Sequence, residues 1–118
     1  TYGPDHPQVA MTLGNLGIAR GEQGDSAAAV ELLERALRIF EATYGPGHRQ
    51  VARTLDNLGI ARRELGEHAA AVELLERAPR INEAAYGPDH PHSQQARRLL
   101  ASLSRRRRRP WRRGRSAR

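Results

Sequence analysis

The chain has 118 residues and a formal net charge of +7, from 20 basic and 13 acidic side chains. Every basic side chain is an arginine, and the sequence contains neither lysine nor cysteine. These absences exclude a P-loop lysine, Schiff-base chemistry, disulfide bonds, thiol nucleophiles and cysteine-ligated zinc. The sequence also lacks a run of about 18 apolar residues, so no membrane span is expected.

The positive charge is concentrated at the carboxyl end of the sequence. Residues 1–104 carry 11 arginines and 13 acidic residues, whereas residues 105–118 carry nine arginines and no acidic residue. A block of like charges repels itself and stays disordered. We therefore predict a near-neutral folded body over residues 1–104 and a disordered basic tail over residues 105–118.

The body contains an internal repeat. Tyr-Gly-Pro begins at Tyr2, Tyr44 and Tyr86, with a spacing of 42 residues. Residues 2–43 and 44–85 are identical at 31 of 42 positions, and the third copy diverges after its first six residues. Such an array is a stack of small units, in which each unit buries its apolar face against its neighbours. The body therefore divides into units 2–43 and 44–85 and a capping half-unit, 86–104.

The first unit predicts two helices. Asp5-His6-Pro7 resembles a helix start, and apolar residues recur after it at helical spacing. Gly24 suits a helix exit and Asp25 suits the N-cap of the next helix, which has an apolar face of its own. The two predicted helices span residues 7–23 and 26–43.

The second unit repeats this pattern and predicts helices over residues 49–65 and 68–85. The third copy predicts a terminal helix over residues 91–104. No alternation of period two, as strands would show, appears anywhere in the body. The predicted fold class is all-α, an antiparallel helix-pair solenoid of about five helices.

The fourth helix contains an unfavourable residue. Pro79 stands where the first unit has Leu37. A proline in a helix interior removes a backbone hydrogen bond and costs about 3 kcal/mol. We therefore expect this helix to kink or to end early near residues 76–79.

The two units resemble a known repeat family. Asn15-Leu16-Gly17-Ile18-Ala19 and Asn57-Leu58-Gly59-Ile60-Ala61, each followed by a glycine turn, are similar to the tetratricopeptide repeat pattern. The 42-residue period and the Tyr-Gly-Pro linkers are similar to the kinesin-light-chain type, which is also common in bacterial regulatory proteins. The resemblance implies a cytoplasmic, non-catalytic module of a larger scaffold or regulatory protein, with no cofactor and no metal.

The resemblance also implies a binding groove. In this family the first helices of successive units line a concave groove that takes a peptide of a partner protein. By motif position, the groove residues would be Asn15, Ile18, Arg53, Asp56, Asn57, Ile60, Arg63 and Arg98, with Met11, Gly14, Gly21 and Gln95 on the same face. Asparagine can bond a peptide backbone as donor and acceptor, arginine can fork onto acidic groups, and isoleucine supplies apolar contact. The alternative is that the asparagines serve the repeat structure and the arginines are merely solvated.

Three histidines, His6, His48 and His90, recur at the repeat spacing. Stacked helix pairs separate equivalent positions by roughly 20 Å. Metal ligands must lie within a few ångströms of one another. We therefore predict a linker or helix-cap role for these side chains.

The tail offers an alternative function, nucleic-acid binding. Arginines can neutralise phosphates in a salt-dependent way, and a tryptophan can stack on a base. The residues of this alternative are Arg105, Arg106, Arg107, Arg108, Arg109, Trp111, Arg112 and Arg113. The same segment suits an anionic membrane surface, and arginine-rich ends are also typical of a GC-rich genome.

A third hypothesis concerns the first helix. The chain begins in a linker, with Thr1 at the position that ends a unit. We therefore expect the chain to come from a longer array. Two and a half units are marginal for stability, so upstream repeats or self-association would cover the first helix.

Overall fold

The computed structural model describes residues 4–87, 89–91, 94 and 97–102. Four helices follow one another: α1 (Pro7–Glu22), α2 (Ser26–Tyr44), α3 (Arg49–Glu64) and α4 (His68–Tyr86). Residues 91, 94 and 97–102 are also helical, within the range of the predicted fifth helix. The described part of the chain contains no strand, and the all-α fold class is confirmed. The basic tail lies outside the described residues.

Histidines cap the first helix of each pair. His6 Nδ1 accepts a hydrogen bond from the backbone N–H of Gln8 at 3.0 Å. His48 Nδ1 accepts the equivalent bond from Gln50, also at 3.0 Å. Each bond satisfies one of the amide donors that a helix start leaves without a partner. The predicted cap role is confirmed for these two histidines.

The turn inside each pair depends on a glycine. Gly24 and Gly66 have φ values of +89° and +83°, in the left-handed region that side chains disfavour. Asp25 then caps α2, because its Oδ1 accepts a hydrogen bond from the backbone N–H of Ala28 at 3.1 Å. The predicted helix exit and N-cap are confirmed. Glu67, the counterpart of Asp25, makes no side-chain cap bond.

Two further glycines allow the paired helices to approach closely. A Cβ atom on Gly59 would lie 2.7 Å from Cγ of Leu75, and one on Gly17 would lie 3.0 Å from Cγ of Leu33. Both leucines are buried. The glycine of the Asn-Leu-Gly-Ile-Ala motif therefore serves helix packing.

The core lies between the helix pairs, with α3 at its centre. One buried cluster joins all four helices: Ala10, Ala36, Ile39, Phe40, Val51, Ala52, Leu55 and Ala78. A second cluster joins α3 to α2: Ala29, Val30, Leu33, Leu58 and Ala61. Leu100 packs against a third cluster on α4: Ala71, Val72 and Leu75. Helix α3 is thus held both by its own partner and by the second helix of the preceding unit.

Helix α4 does not end near Pro79. It continues without a break to Tyr86, so the expectation of an early end is wrong. Pro79 is buried, and the adjacent Ala78 is fully buried in the cluster that contains Leu55 of α3. The burial of Pro79 and the packing of Ala78 therefore offset the hydrogen bond that the proline ring removes.

Ion pairs connect α2 to the following unit. The Arg62 guanidinium bonds Glu34 of α2, and its Nη1 also donates to Oε1 of Glu67 at 2.6 Å. The bond to Glu67, more than that to Glu34, raises the pKa of Arg62. Arg77 of α4 donates to Oε2 of Glu41 on α2 at 2.9 Å. Helix α2 therefore presents glutamates that pair with arginines of the second unit.

Candidate functional site

A groove runs between helices α1 and α3. Its narrow pocket, of about 40 Å³, is lined by Ala10, Met11, Gly14, Asn15, Ile18, Leu33, Phe40, Gln50, Arg53, Thr54 and Asn57. Its wide cleft, of about 480 Å³, is lined by Gly17, Ile18, Gly21, Glu22, Gly24, Ser26, Ala29, Leu33, Asn57, Ile60, Ala61 and Glu64. Three residues line both, so the narrow pocket and the wide cleft form one continuous groove: Ile18, Leu33 and Asn57.

Helical periodicity places these side chains together. On α1 four of the lining residues recur at intervals of three or four positions, which keeps them on one face: Met11, Asn15, Ile18 and Glu22. The counterparts of these four residues on α3 line the groove from the next unit: Arg53, Asn57, Ile60 and Glu64. Five of the predicted groove residues line this groove: Asn15, Ile18, Arg53, Asn57 and Ile60.

Asp56 lies apart from these five residues. It does not line the narrow pocket or the wide cleft. It is the counterpart of Gly14 in the first unit, and its side chain is partly buried. Its Oδ1 atom is buried without a hydrogen-bond partner. Burial raises the pKa of this carboxyl from 3.8 to about 6.

The other two predicted arginines lie outside the groove lining as well. Arg63 donates through Nη2 to the neighbouring Glu64 at 3.1 Å, while its Nε is buried without a partner. Arg98 is exposed on the third unit. Gln95 and residues 105–118, including all residues of the nucleic-acid alternative, lie outside the described part of the chain.

Sequence reasoning missed two acidic residues, Glu22 and Glu64, which end α1 and α3 and line the wide cleft. They follow Met11 and Arg53 by 11 residues, about three helical turns, and therefore share their face. This spacing is the signal that could have found them. The groove consequently has a basic group, Arg53, toward one end and carboxylates about 16 Å farther along the helix axis.

Replacing Asp56 by asparagine is expected to stabilise the fold at neutral pH but not in acid. Because the folded state holds the Asp56 proton more tightly than the unfolded chain, stability falls as the pH rises from about 4 to about 6. Asn cannot ionise, so the advantage of Asp56→Asn grows through this window and is constant above it. The gain in the free energy of unfolding between acid and neutral pH is at most about 3 kcal/mol. Solvent screening reduces it, because the carboxyl is partly exposed.

Urea unfolding of both chains at several pH values measures this difference. Glu73→Gln is the matched control, because Glu73 is an exposed acid on α4. A stability difference for Asp56→Asn that does not change with pH would contradict the assignment.

Comparisons with known proteins agree with this architecture. The sequence profile of the family described as "Tetratricopeptide repeat" matches residues 1–42 and 23–81. The chain therefore belongs to the tetratricopeptide repeat family, whose members generally mediate protein–protein interactions and are typically non-catalytic. A search of curated proteins found no match.

A solved structure provides the second comparison. Nearly identical tetratricopeptide-like repeats from Podosopora anserina, assigned to a kinesin light chain, superpose with a TM-score of 0.76 at 26% identity. The match covers 86% of this chain and 48% of the solved chain, so this chain spans about half of that length. The likeness to kinesin-light-chain repeats, first indicated by the 42-residue period, is confirmed. No helix in the described part of the chain has the length and hydropathy needed to cross a membrane.

Proposed function

We propose that this chain is a protein–protein interaction module that holds a peptide segment of a partner protein in the groove between α1 and α3. The wide cleft carries this proposal. Its volume of about 480 Å³ is in the range of ligand sites, and its floor is apolar or backbone at Gly17, Ala29 and Leu33. Family membership supports a protein partner rather than a small-molecule substrate.

Two kinds of uncharged contact would hold the peptide. Asn15 and Asn57 stand on opposite walls of the narrow pocket and would hydrogen-bond the peptide backbone as donors and acceptors. Ile18 and Ile60 flank the wide cleft and would pack against an apolar side chain. Such contacts bind a main chain and select a side chain at the same time.

The opposite charges at the two ends of the groove would set the direction of the bound peptide. Arg53 would take an acidic side chain, while Glu22 and Glu64 would take a basic one about 16 Å away. An extended chain covers that distance in about five residues. Since Glu64 already pairs with Arg63, Glu22 would supply most of the attraction for the basic group. We therefore propose a partner segment with an acidic residue, an apolar residue and a basic residue in that order along the groove.

The remaining predicted residues belong to the same proposal. Asp56, Arg63 and Arg98 would continue the groove along the third unit. Residues 1–104 would form the repeat domain and residues 105–118 the basic tail, and the whole would be a cytoplasmic part of a larger scaffold or regulatory protein. The match to about half of a longer repeat chain supports only the proposal that the chain is part of a larger protein.

The alternative function is supported by one feature of the sequence, the nine arginines without an acid in residues 105–118. Arg105–Arg109, Arg112 and Arg113 would bind nucleic-acid phosphates, with Trp111 stacked on a base. Affinity from such contacts falls steeply with salt.

Affinity capture from nuclease-treated extract, with four baits, tests both functions. The baits are the full chain, Arg53→Ala combined with Asn57→Ala, a chain ending at residue 104, and the control Arg38→Ala. Arg38 is an exposed arginine on α2, outside the groove. The groove proposal expects a protein that every bait except the double variant retains, with at least about a tenfold loss of affinity for that variant, or about 1.4 kcal/mol.

Two other outcomes would count against the groove. Equal retention by the double variant and the full chain would rule out binding between α1 and α3. Capture that needs residues 105–118 and disappears at high salt would replace the proposal with nucleic-acid binding by the tail.

A further inference from the structure

The wide cleft of the groove combines acidic and apolar groups. Glu22 lines it at the end of α1 and is exposed, and no ion pair is described for it. On the α3 side, Glu64 pairs with Arg63, but its side chain is still 54% exposed. Ile18 and Ile60 line the same cleft. The cleft therefore suits an apolar side chain with basic groups beside it.

The third unit ends close to this cleft. Leu100 packs against the third core cluster, on α4. Leu58, 42 residues earlier, packs in the same way against the corresponding positions of α2. The helix that contains Leu100 therefore has the register of α3, and its last described residue, Ser102, corresponds to Ile60. Since Ile60 lines the wide cleft, the described residues end at the level of the cleft along the helix axis.

The segment after Ser102 has a chemistry that complements the cleft. Residues 105–118 carry nine arginines and no acidic residue, and Trp111, the only tryptophan of the chain, is followed directly by two of these arginines. Equivalent positions of neighbouring units are roughly 20 Å apart, which is the distance from Ser102 to the α3 side of the cleft. The nine residues 103–111 span about 30 Å when extended. Trp111 can therefore reach the wide cleft of its own chain.

We propose that the basic tail, residues 105–118, docks in the wide cleft of the same chain and competes there with the partner peptide. Trp111 lies between Ile18 and Ile60, and the arginines that follow it pair with the two glutamates of the cleft. An aromatic ring buries a large apolar area, and a guanidinium can bind a carboxylate through two parallel hydrogen bonds. This docking rests on the proposed function, because the tail takes the place of the apolar and basic residues of the partner.

The tail matches only part of the groove. It has no acidic residue for Arg53, whereas the partner segment has one. A short tether gives a tail an effective concentration in the millimolar range, about 1 mM. A partner that also pairs with Arg53 gains a contact that the tail does not make, and it displaces the tail. The tail therefore selects for partners that carry the acidic residue.

The single tryptophan reports the docking directly. We expect Trp111 fluorescence in the folded 118-residue chain to be protected from quenching by acrylamide. Glu22→Gln combined with Glu64→Gln should lower the ratio of docked to undocked tail about fivefold, because it removes two exposed ion pairs. Glu73→Gln combined with Glu76→Gln is the matched control, since both are exposed acids of α4 that do not line the groove. It should leave the protection unchanged.

The competition has a readout of its own. Trp111→Ala should raise the affinity for a protein captured through the groove at least about threefold, because the apparent affinity of a site falls with the fraction of the site that is free. Equal affinity of the full chain and of this variant would overturn the competition.

Three fluorescence results would overturn the docking. The first is a Trp111 that is quenched as readily in the folded chain as in urea. The second is protection that the Glu22 and Glu64 double variant leaves unchanged, since the tail would then lie elsewhere. The third is protection that grows with protein concentration, which would place the tail in the cleft of a second copy. Protection that depends on both glutamates supports the docking even where no partner is captured, so a failure of the proposed function is distinct from a failure of the docking.

Discussion

Replacing Leu58 by alanine is expected to lower the free energy of unfolding by about 2–5 kcal/mol. Leu58 is 2% exposed and joins α3 to α2, so its removal leaves a cavity between two repeat units. The same change at Leu16 is expected to cost less than about 1 kcal/mol, because that side chain is 45% exposed.

These two variants control for each other. Both leucines stand at the same position of an Asn-Leu-Gly-Ile-Ala motif, so the change in helix propensity is the same. Urea unfolding followed by circular dichroism measures both free energies, and the slope with urea shows whether the repeats still unfold together. Equal costs at the two positions would show that burial against α2 does not stabilise the array.

Exchanging Pro79 for leucine is expected to raise the free energy of unfolding by about 2–3 kcal/mol. The leucine restores the backbone N–H that bonds the carbonyl of Leu75, and it relieves the clash of the ring with that carbonyl. The first unit shows that the site accepts this side chain, because Leu37 packs there against two core clusters.

The reverse exchange, Leu37→Pro, is the matched control. It introduces the same defect into α2, and we expect it to lower the free energy of unfolding by about 3 kcal/mol or more. Helix α2 carries the surface that receives α3, so a defect there acts on both units. A loss of stability for Pro79→Leu would instead mean that the site in α4 is too crowded for leucine.

Local signals in the sequence were sufficient to predict most of the fold. The observed bounds of the four helices lie within one residue of the predicted ones. Histidine and aspartate caps, glycine exits and apolar spacing act over only a few residues, so each can be recognised without knowledge of the neighbours. The expected early end of α4 near Pro79 was wrong for the opposite reason, since it depended on the tertiary packing around Ala78.

The candidate site was only partly predictable. Motif position placed Asn15, Arg53 and Asn57 at the groove, because helical periodicity assigns each residue to a face. Periodicity does not say which neighbouring helix that face meets. For that reason the burial of Asp56 appeared only in the structure.

The sequence by itself determined that two nearly identical helix pairs form, where their helices begin and end, and which residues share a face. Only the tertiary structure decided what each face does. Leu16 and Leu58 have the same local sequence, yet one is exposed and the other is buried. The physical reason is that burial depends on the neighbouring helix: α2 packs against Leu58 of α3, whereas Leu16 of α1 belongs to none of the core clusters of the described residues.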